Sequence, residues 1–356
     1  MSEKTIPPET NLKVNGPTFL SLLNGYRKGS PLNRAKKKFI KGICYIAAKY
    51  YLKKPDVVEL LYIKFPTFKS IVDAAMNELY FRLGFERGYK LTSINIEIDN
   101  TCNLICRMCP VNNGMERKKG FMDIHLFKKI IDDNPFLDFV LAFQWGEPLL
   151  HKNFFEMIGY ANSKGIRTMI TTNGTLLDDD MMEKLVKSGL ERLTISVDGV
   201  GDTHTRIRGY DYYKLKENII KLKTVRDRFK SKMKIDISMV VFEDTEDEME
   251  RYFNEWRGVA DRVQVVPRFT SSQRKNRCRE LWRGATVVLW DGRVTICCAD
   301  YDGRMIIGDV NKEKLINIWN GEKMRSLRRM HVKEEFPGVC RNCGEYKSEK
   351  VSQRFN

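Results

Sequence analysis

The sequence predicts an α/β fold: a partial (β/α)6 TIM-like barrel between an N-terminal helical region and a small C-terminal α+β domain. Three observations carry this. Strand-like and helix-like runs alternate through the middle of the chain, glycines fall where two of the helices should end, and the texture changes at about Arg274. The expected boundaries are 1–90, 91–272 and 273–356.

The first region reads as helical, with Leu20, Leu22 and Leu23 in one segment and Phe39, Ile40, Ile43, Ile46 and Ala47 at helical spacing in another. Residues 1–90 carry 17 Lys/Arg against 7 Asp/Glu, the run Arg34-Ala35-Lys36-Lys37-Lys38 being the densest part, in a chain of net charge +16. Such a region attracts a membrane surface, a nucleic acid or a phosphorylated substrate, or serves as a solvated helix face. Cys44 reads as a buried thiol in the second stripe.

In the middle region, Ser93 to Ile98, Phe136 to Phe143, Arg167 to Thr172, Leu193 to Val197, Lys234 to Val241 and Arg262 to Val266 are strand candidates, rich in Ile, Val and Thr. Ile124 to Asp132, Phe154 to Ser163, Asp179 to Lys187, Tyr213 to Phe229 and Glu246 to Trp256 read as helices. Gly165 and Gly189 sit at two helix ends. Repeated βα units demand a parallel sheet, and ligands of such sheets bind at the carboxyl ends of the strands. The last region opens with a hairpin signal, Val287 to Ile296, with Asp291-Gly292 at the turn.

With 42% hydrophobic and 30% charged residues the 356-residue chain suits a folded globular protein. No apolar run has the length of a membrane span, and the first residues do not begin an export signal. Nine cysteines in such a chain point to a reducing cytoplasm and to metal binding. Cytoplasmic placement is therefore expected, with peripheral contact at the inner membrane face through the basic helices. The four histidines show no metal spacing.

Cys102, Cys106 and Cys109 lie in one short loop directly after the first strand candidate. Three thiolates hold three irons of a cubane cluster and leave the fourth open to a small molecule, whereas a structural zinc takes four protein ligands. Downstream, Gly146-Glu147-Pro148 follows the second strand, Thr171-Thr172-Asn173-Gly174 the third and Ser196-Val197-Asp198-Gly199 the fourth, and Arg206 and Arg208 lie just beyond. Together these residues resemble the radical S-adenosylmethionine (radical SAM) enzymes over about Ser93 to Tyr346.

The resemblance implies that Cys102, Cys106 and Cys109 hold a [4Fe–4S] cluster whose open iron binds S-adenosyl-L-methionine. It implies that the segment Gly146, Glu147, Pro148 meets the methionyl ammonium, although Trp145 stands where the family has a first glycine. It also implies that Thr171, Thr172, Asn173, Ser196 and Asp198 line the ribose and carboxylate. Arg208, or Arg206 in its place, would pair with the cofactor carboxylate. The family's adenine-stacking aromatic usually falls within the cysteine spacing, where this chain has Arg107 and Met108; Phe121 lies nearby.

A second set, Cys278, Cys297-Cys298 and Cys340-Arg341-Asn342-Cys343, resembles the SPASM/twitch extension, with Asp291-Gly292 and Ile318-Trp319-Asn320 around it. It implies one auxiliary [4Fe–4S] cluster, with Cys297 or Cys298 completing four ligands and Cys297 better placed relative to Asp-Gly. A zinc site suits the same cysteines. The implied activity is hydrogen-atom abstraction that oxidises a sugar, an aminocyclitol or a phosphorylated or lipid-linked small molecule. A reductant such as flavodoxin or ferredoxin supplies the electron, and nucleic acid is not an expected partner. A peptide-modifying maturase and a zinc-stabilised nucleic-acid-binding protein stand as alternatives.

Overall fold

The computed structural model describes residues 68–284 and 286–345. They fall in a unit spanning Asp56–Asn356, while a second unit, Met1–Pro55, lies outside them, as do the basic run 34–38, Cys44 and the first helical segments. Within the region read as helical, the described residues hold α1 (Phe68–Leu83), a helix that the sequence reading does not single out.

Six strands follow one another in a parallel sheet: β1 (Ser93–Ile96), β2 (Phe139–Leu141), β3 (Arg167–Thr172), β4 (Arg192–Ser196), β5 (Lys234–Val241) and β6 (Arg262–Pro267). Between them run α2 (Ile124–Asp133), α3 (Phe154–Ser163), α4 (Asp179–Lys187), α5 (Asp202–Arg208), α6 (Tyr212–Arg228) and α7 (Met249–Trp256). This is the open (β/α)6 barrel expected from the sequence.

Helix starts follow local chemistry. Asp178 and Asp211, the N-caps of α4 and α6, accept hydrogen bonds from the Met181 and Lys214 amides, 2.8 and 2.7 Å away. Alternate residues of β3 are buried, and the fully buried Ile94, Ile96, Val140, Ile170, Leu193, Ile195, Ile235 and Ile237 form the core between sheet and helices.

Three features differ from the sequence reading. β2 is shorter than Phe136 to Phe143 and starts late because the Leu137 amide closes a turn onto the Asn134 carbonyl at 3.1 Å. The seven-residue α5 was not foreseen: its N-cap is Gly201, which has no capping side chain. The segment before α7 is a single 3-10 turn, Glu246–Glu248.

After β6 come β7 (Phe269–Ser271), which precedes the expected boundary at 273, and then α8 (Glu280–Arg283), β8 (Val287–Val288), β9 (Arg293–Thr295), β10 (Ile306–Asp309), α9 (Leu315–Trp319), α10 (Glu322–Val332) and β11 (Cys343–Glu345). The foreseen hairpin, β8 and β9, joins the barrel sheet, since β8 runs parallel to β1 on the side away from β2. The nine-stranded order is therefore β10-β9-β8-β1-β2-β3-β4-β5-β6, with β1 inside it. β7 and β11 form a separate antiparallel pair in which Cys343 faces Ser271. Among the described residues no helix is long and apolar enough to cross a membrane.

Candidate functional site

The three-cysteine loop leaves the carboxyl end of β1, and side-chain amides shape it. Asn113 donates from Nδ2 to the carbonyls of Cys106 and Cys109, at 2.8 and 3.0 Å, and Asn112 donates to that of Leu104 at 2.7 Å. The Arg107 amide donates to the Ile207 carbonyl of α5 at 2.9 Å, and the Cys106 thiol lies 3.9 Å from the Arg208 carbonyl. Asn173, at the end of β3, donates to Asn103 Oδ1 at 2.8 Å and to Cys102 Sγ at 3.7 Å. Burial pushes all three thiols up, Cys106 to about 11.

The loop after β2 presses against the same segment. Gly146 has φ of 141°, and a Cβ on it would stand 2.8 Å from the Asp99 carbonyl oxygen and 3.0 Å from that of Thr101. Only glycine fits such an approach. The next amide, that of Glu147, donates to the Thr101 carbonyl at 2.7 Å. The Glu147 carboxylate is buried and accepts from Thr172 Oγ1, the Asn173 amide and the Leu149 amide at 2.7, 2.7 and 3.1 Å, so it ties the ends of β2 and β3 together. Burial raises its pKa to about 7 against these hydrogen bonds. Pro148 opens a short 3-10 turn, Pro148–Leu150.

Asp198, after β4, is fully buried and accepts from Arg208 Nε at 2.7 Å and from the Val240 amide at 2.6 Å. Burial opposes the Arg208 charge, but Asp198 and then Cys106 outweigh it and raise its pKa. The terminal guanidinium nitrogens of Arg208 make no hydrogen bond among the described residues. The same holds for the hydroxyls of Thr171 and Ser196. Arg206 is exposed and lies 3.7 Å from Asp244, so of the two candidate arginines Arg208 is the one built into the strand ends. Phe121 is half exposed and meets His151 edge to face at 5.5 Å.

Several residues here were missed by the sequence reading. Asp99 is buried beside Glu147, and burial followed by that neighbour raises its pKa to about 8. Glu97, fully buried, is gripped by both terminal nitrogens of Arg117, whose Nε reaches the Tyr301 carbonyl. Burial raises Glu97 to about 7 in spite of that arginine. Two acids at alternate positions in an apolar strand end were the available signal. Trp145, the departure from the family pattern, donates from Nε1 to the Cys298 carbonyl at 2.9 Å and packs edge to face on Tyr301. It thus connects the β2 loop to the second cysteine set.

In that second set Cys340 is buried and Cys278, Cys297, Cys298 and Cys343 are half-buried. Burial, reinforced by neighbouring groups, raises Cys298 to about 11 and Cys340 to about 12, and Cys297 and Cys278 rise as well. Arg274 Nη2 lies 3.1 Å from Cys343 Sγ. His331, fully buried, accepts the Cys278 amide at Nδ1 at 3.2 Å, and burial lowers its pKa to about 4. The eight described cysteines are all free. Among the described residues no three His, Cys, Asp or Glu side chains converge on a single ion.

Comparison with known proteins fits this layout. Residues 96–255 match the family described as the radical SAM superfamily, and residues 278–344 match SPASM, an iron–sulfur cluster-binding domain. The S-adenosyl-L-methionine-dependent 2-deoxy-scyllo-inosamine dehydrogenase of Niallia circulans is 25% identical over 258 residues, 70% of this chain and 91% of that one. The cofactor-modifying protein of tungsten-containing aldehyde ferredoxin oxidoreductase from Pyrococcus furiosus is 38% identical over 106 residues, 29% of this chain and 30% of that protein. Among solved structures, BtrN with AdoMet and 2-DOIA aligns with a TM-score of 0.51 at 20% identity, covering 72% of this chain and 94% of that one. Streptococcus suis SuiB bound to S-adenosylmethionine gives 0.55 at 12% identity, covering 80% of each. These two likenesses concern the fold.

Proposed function

Because the chain belongs to the radical SAM superfamily and carries a SPASM extension, we propose that it is a dehydrogenase-type oxidoreductase acting on a small polyhydroxylated molecule. Its cofactors are S-adenosylmethionine, the [4Fe–4S] cluster that binds it, and auxiliary iron–sulfur. When bound, these groups supply a 5′-deoxyadenosyl radical that takes a hydrogen atom and an acceptor for the electron left behind. Loss of a hydrogen atom, an electron and the hydroxyl proton turns a carbinol into a carbonyl.

The donor sets suit these groups. Cys102, Cys106 and Cys109 are three free thiols on one loop at the carboxyl end of the sheet, the number that leaves one iron open. Cys278, Cys340 and Cys343, with Cys297 or Cys298, make a closed set of four for a single auxiliary cluster. Their thiols are held protonated by burial, so loading with metal must release protons. Arg208 keeps two terminal nitrogens for a carboxylate while Asp198 fixes its Nε. Thr171 and Ser196 offer hydroxyls to a polar ligand across the strand ends. Glu147, Thr172 and Asn173 hold the β2 and β3 ends in register with the cysteine loop.

One observation carries the oxidative reading: the two cysteine sets are joined through one sheet and one indole. β8 pairs with β1, from whose end the first set departs, and Trp145 bonds the Cys298 carbonyl in the second. An electron acceptor built beside the radical site favours net oxidation. The Niallia circulans relative, a dehydrogenase of 2-deoxy-scyllo-inosamine by its name, points to a sugar or aminocyclitol. The basic residues 1–90 favour a phosphorylated or lipid-linked form.

The test is anaerobic reconstitution followed by strong reduction with S-adenosylmethionine and C-deuterated sugars, aminocyclitols and their phosphates. Deuterium in 5′-deoxyadenosine together with a carbonyl product supports the reading. Cleavage with a cross-linked or rearranged product, or none at all, overturns the dehydrogenase assignment.

A further inference from the structure

The auxiliary cysteines have a cation among them. Arg274 Nη2 lies 3.1 Å from Cys343 Sγ, and its charge also interacts with Cys278 and Cys340. Among the described residues no carboxylate pairs with this guanidinium, in contrast to Arg208, Arg117 and Arg192, which each face a buried acid. Its Nε is buried and makes no hydrogen bond.

The backbone holds arginine and cysteine together. β7 pairs with β11 so that Cys343 faces Ser271, and the Arg274 amide donates to the Arg341 carbonyl at 2.9 Å. A Cβ on Gly344 would fall 1.7 Å from Ser272 Oγ, so the two segments approach closely there and a side chain would have to push the Ser272 hydroxyl aside. Nη1 is further tied to the Asn276 carbonyl at 3.3 Å. The guanidinium is thus fixed against the sulfur by both ends of its segment.

Resting on the proposed function, which places a [4Fe–4S] cluster on these cysteines, we infer that Arg274 raises the reduction potential of the auxiliary cluster and so makes it a better electron acceptor. One-electron reduction takes the core from 2+ to 1+ and makes the thiolate-ligated centre more negative. A fixed cation with an N–H aimed at a ligand sulfur stabilises the reduced state more than the oxidised one. Arginine keeps its charge throughout the working pH range, so the bias is permanent. Arg274 is a positioning residue in this scheme, since it acts through the cluster and touches no substrate.

The experiment uses the full chain with Cys102, Cys106 and Cys109 all changed to Ala, which leaves the auxiliary cluster alone. Its potential is read by EPR-monitored titration with dithionite and mediator dyes. Arg274→Gln, which keeps an N–H donor and removes the charge, is expected to shift the midpoint to more negative values. Arg274→Lys is expected to stay close to the parent. An unmoved midpoint in Arg274→Gln overturns the inference, and so does loss of the cluster from that variant, which would make Arg274 a structural clamp. A parent variant holding no cluster counts instead against the proposed function itself.

Discussion

At the scale of single residues, the two cysteine sets make separable predictions. On the proposed assignment, Cys106→Ala removes one of three cluster ligands from the first loop and leaves the second set untouched. Reconstituted protein is expected to lose 5′-deoxyadenosine formation while retaining auxiliary iron; iron counting beside product analysis checks this, and retained cleavage would contradict the ligand assignment. Trp145 shows how a departure from a family pattern acquires its own work. Its indole replaces a glycine and reaches the Cys298 carbonyl. Trp145→Phe keeps the ring and removes one neutral hydrogen bond, worth about 1 kcal/mol. The expected result is a loss of that order in denaturant unfolding, with an altered EPR line shape for the auxiliary centre; an unchanged spectrum would leave the bond structurally idle.

At the scale of elements, short α5 carries more of the site than its seven residues suggested. It supplies Arg208 to Asp198, and its His204 accepts the Asp198 amide at Nδ1, 3.1 Å away. His204 is fully buried, and burial, then the Arg208 charge, lowers its pKa to about 3. Protonation would turn the acceptor nitrogen into a donor facing an N–H. The folded state therefore binds fewer protons than the unfolded one between about pH 6.5 and pH 3, and stability falls as pH falls through that window. His204→Asn keeps a short acceptor and removes the titration. Between pH 6 and pH 4 the wild type is expected to lose up to about 1.4 kcal/mol more per pH unit than the variant. Parallel stability curves would show that the imidazole is not the group responsible.

Legibility in the sequence also differed by element. The strands β3 and β5 and the helices α3 and α4 matched their expected spans because amphipathic periodicity acts locally, as does the capping Asp178 of α4. α5 and the β7–β11 pair were not legible. The former lacks a side-chain cap, and the latter joins residues far apart in sequence in a close pairing beside Gly344. Of the candidate site, the cysteines and Gly146 could be singled out in the sequence because thiols and glycines carry their chemistry in their type. The partners of Arg117, Trp145 and Arg274 depend on tertiary contact and had no local signature.

At the scale of the whole molecule, charge is the feature left to test. The net +16 is concentrated toward the first ninety residues. If the substrate is anionic, its KM should rise as salt is raised from about 50 to 500 mM, since screening shortens the reach of that charge below about 10 Å. A KM indifferent to salt would argue for an uncharged sugar, and one that falls with salt for a cationic aminocyclitol.

The position of β1 inside the nine-stranded sheet has a mechanical meaning. Hydrogen bonded to β2 on one flank and β8 on the other, it acts as a common beam between the strand that leads into the first cysteine loop and the hairpin that ends at Cys297 and Cys298. On the proposed assignment, that ladder fixes how the hairpin ending at Cys297 and Cys298 sits against the strand leading to the first set, while Cys343 is brought in by the separate β7–β11 pair. Loops that carry no cysteine can then diverge to admit new substrates without retuning the wiring.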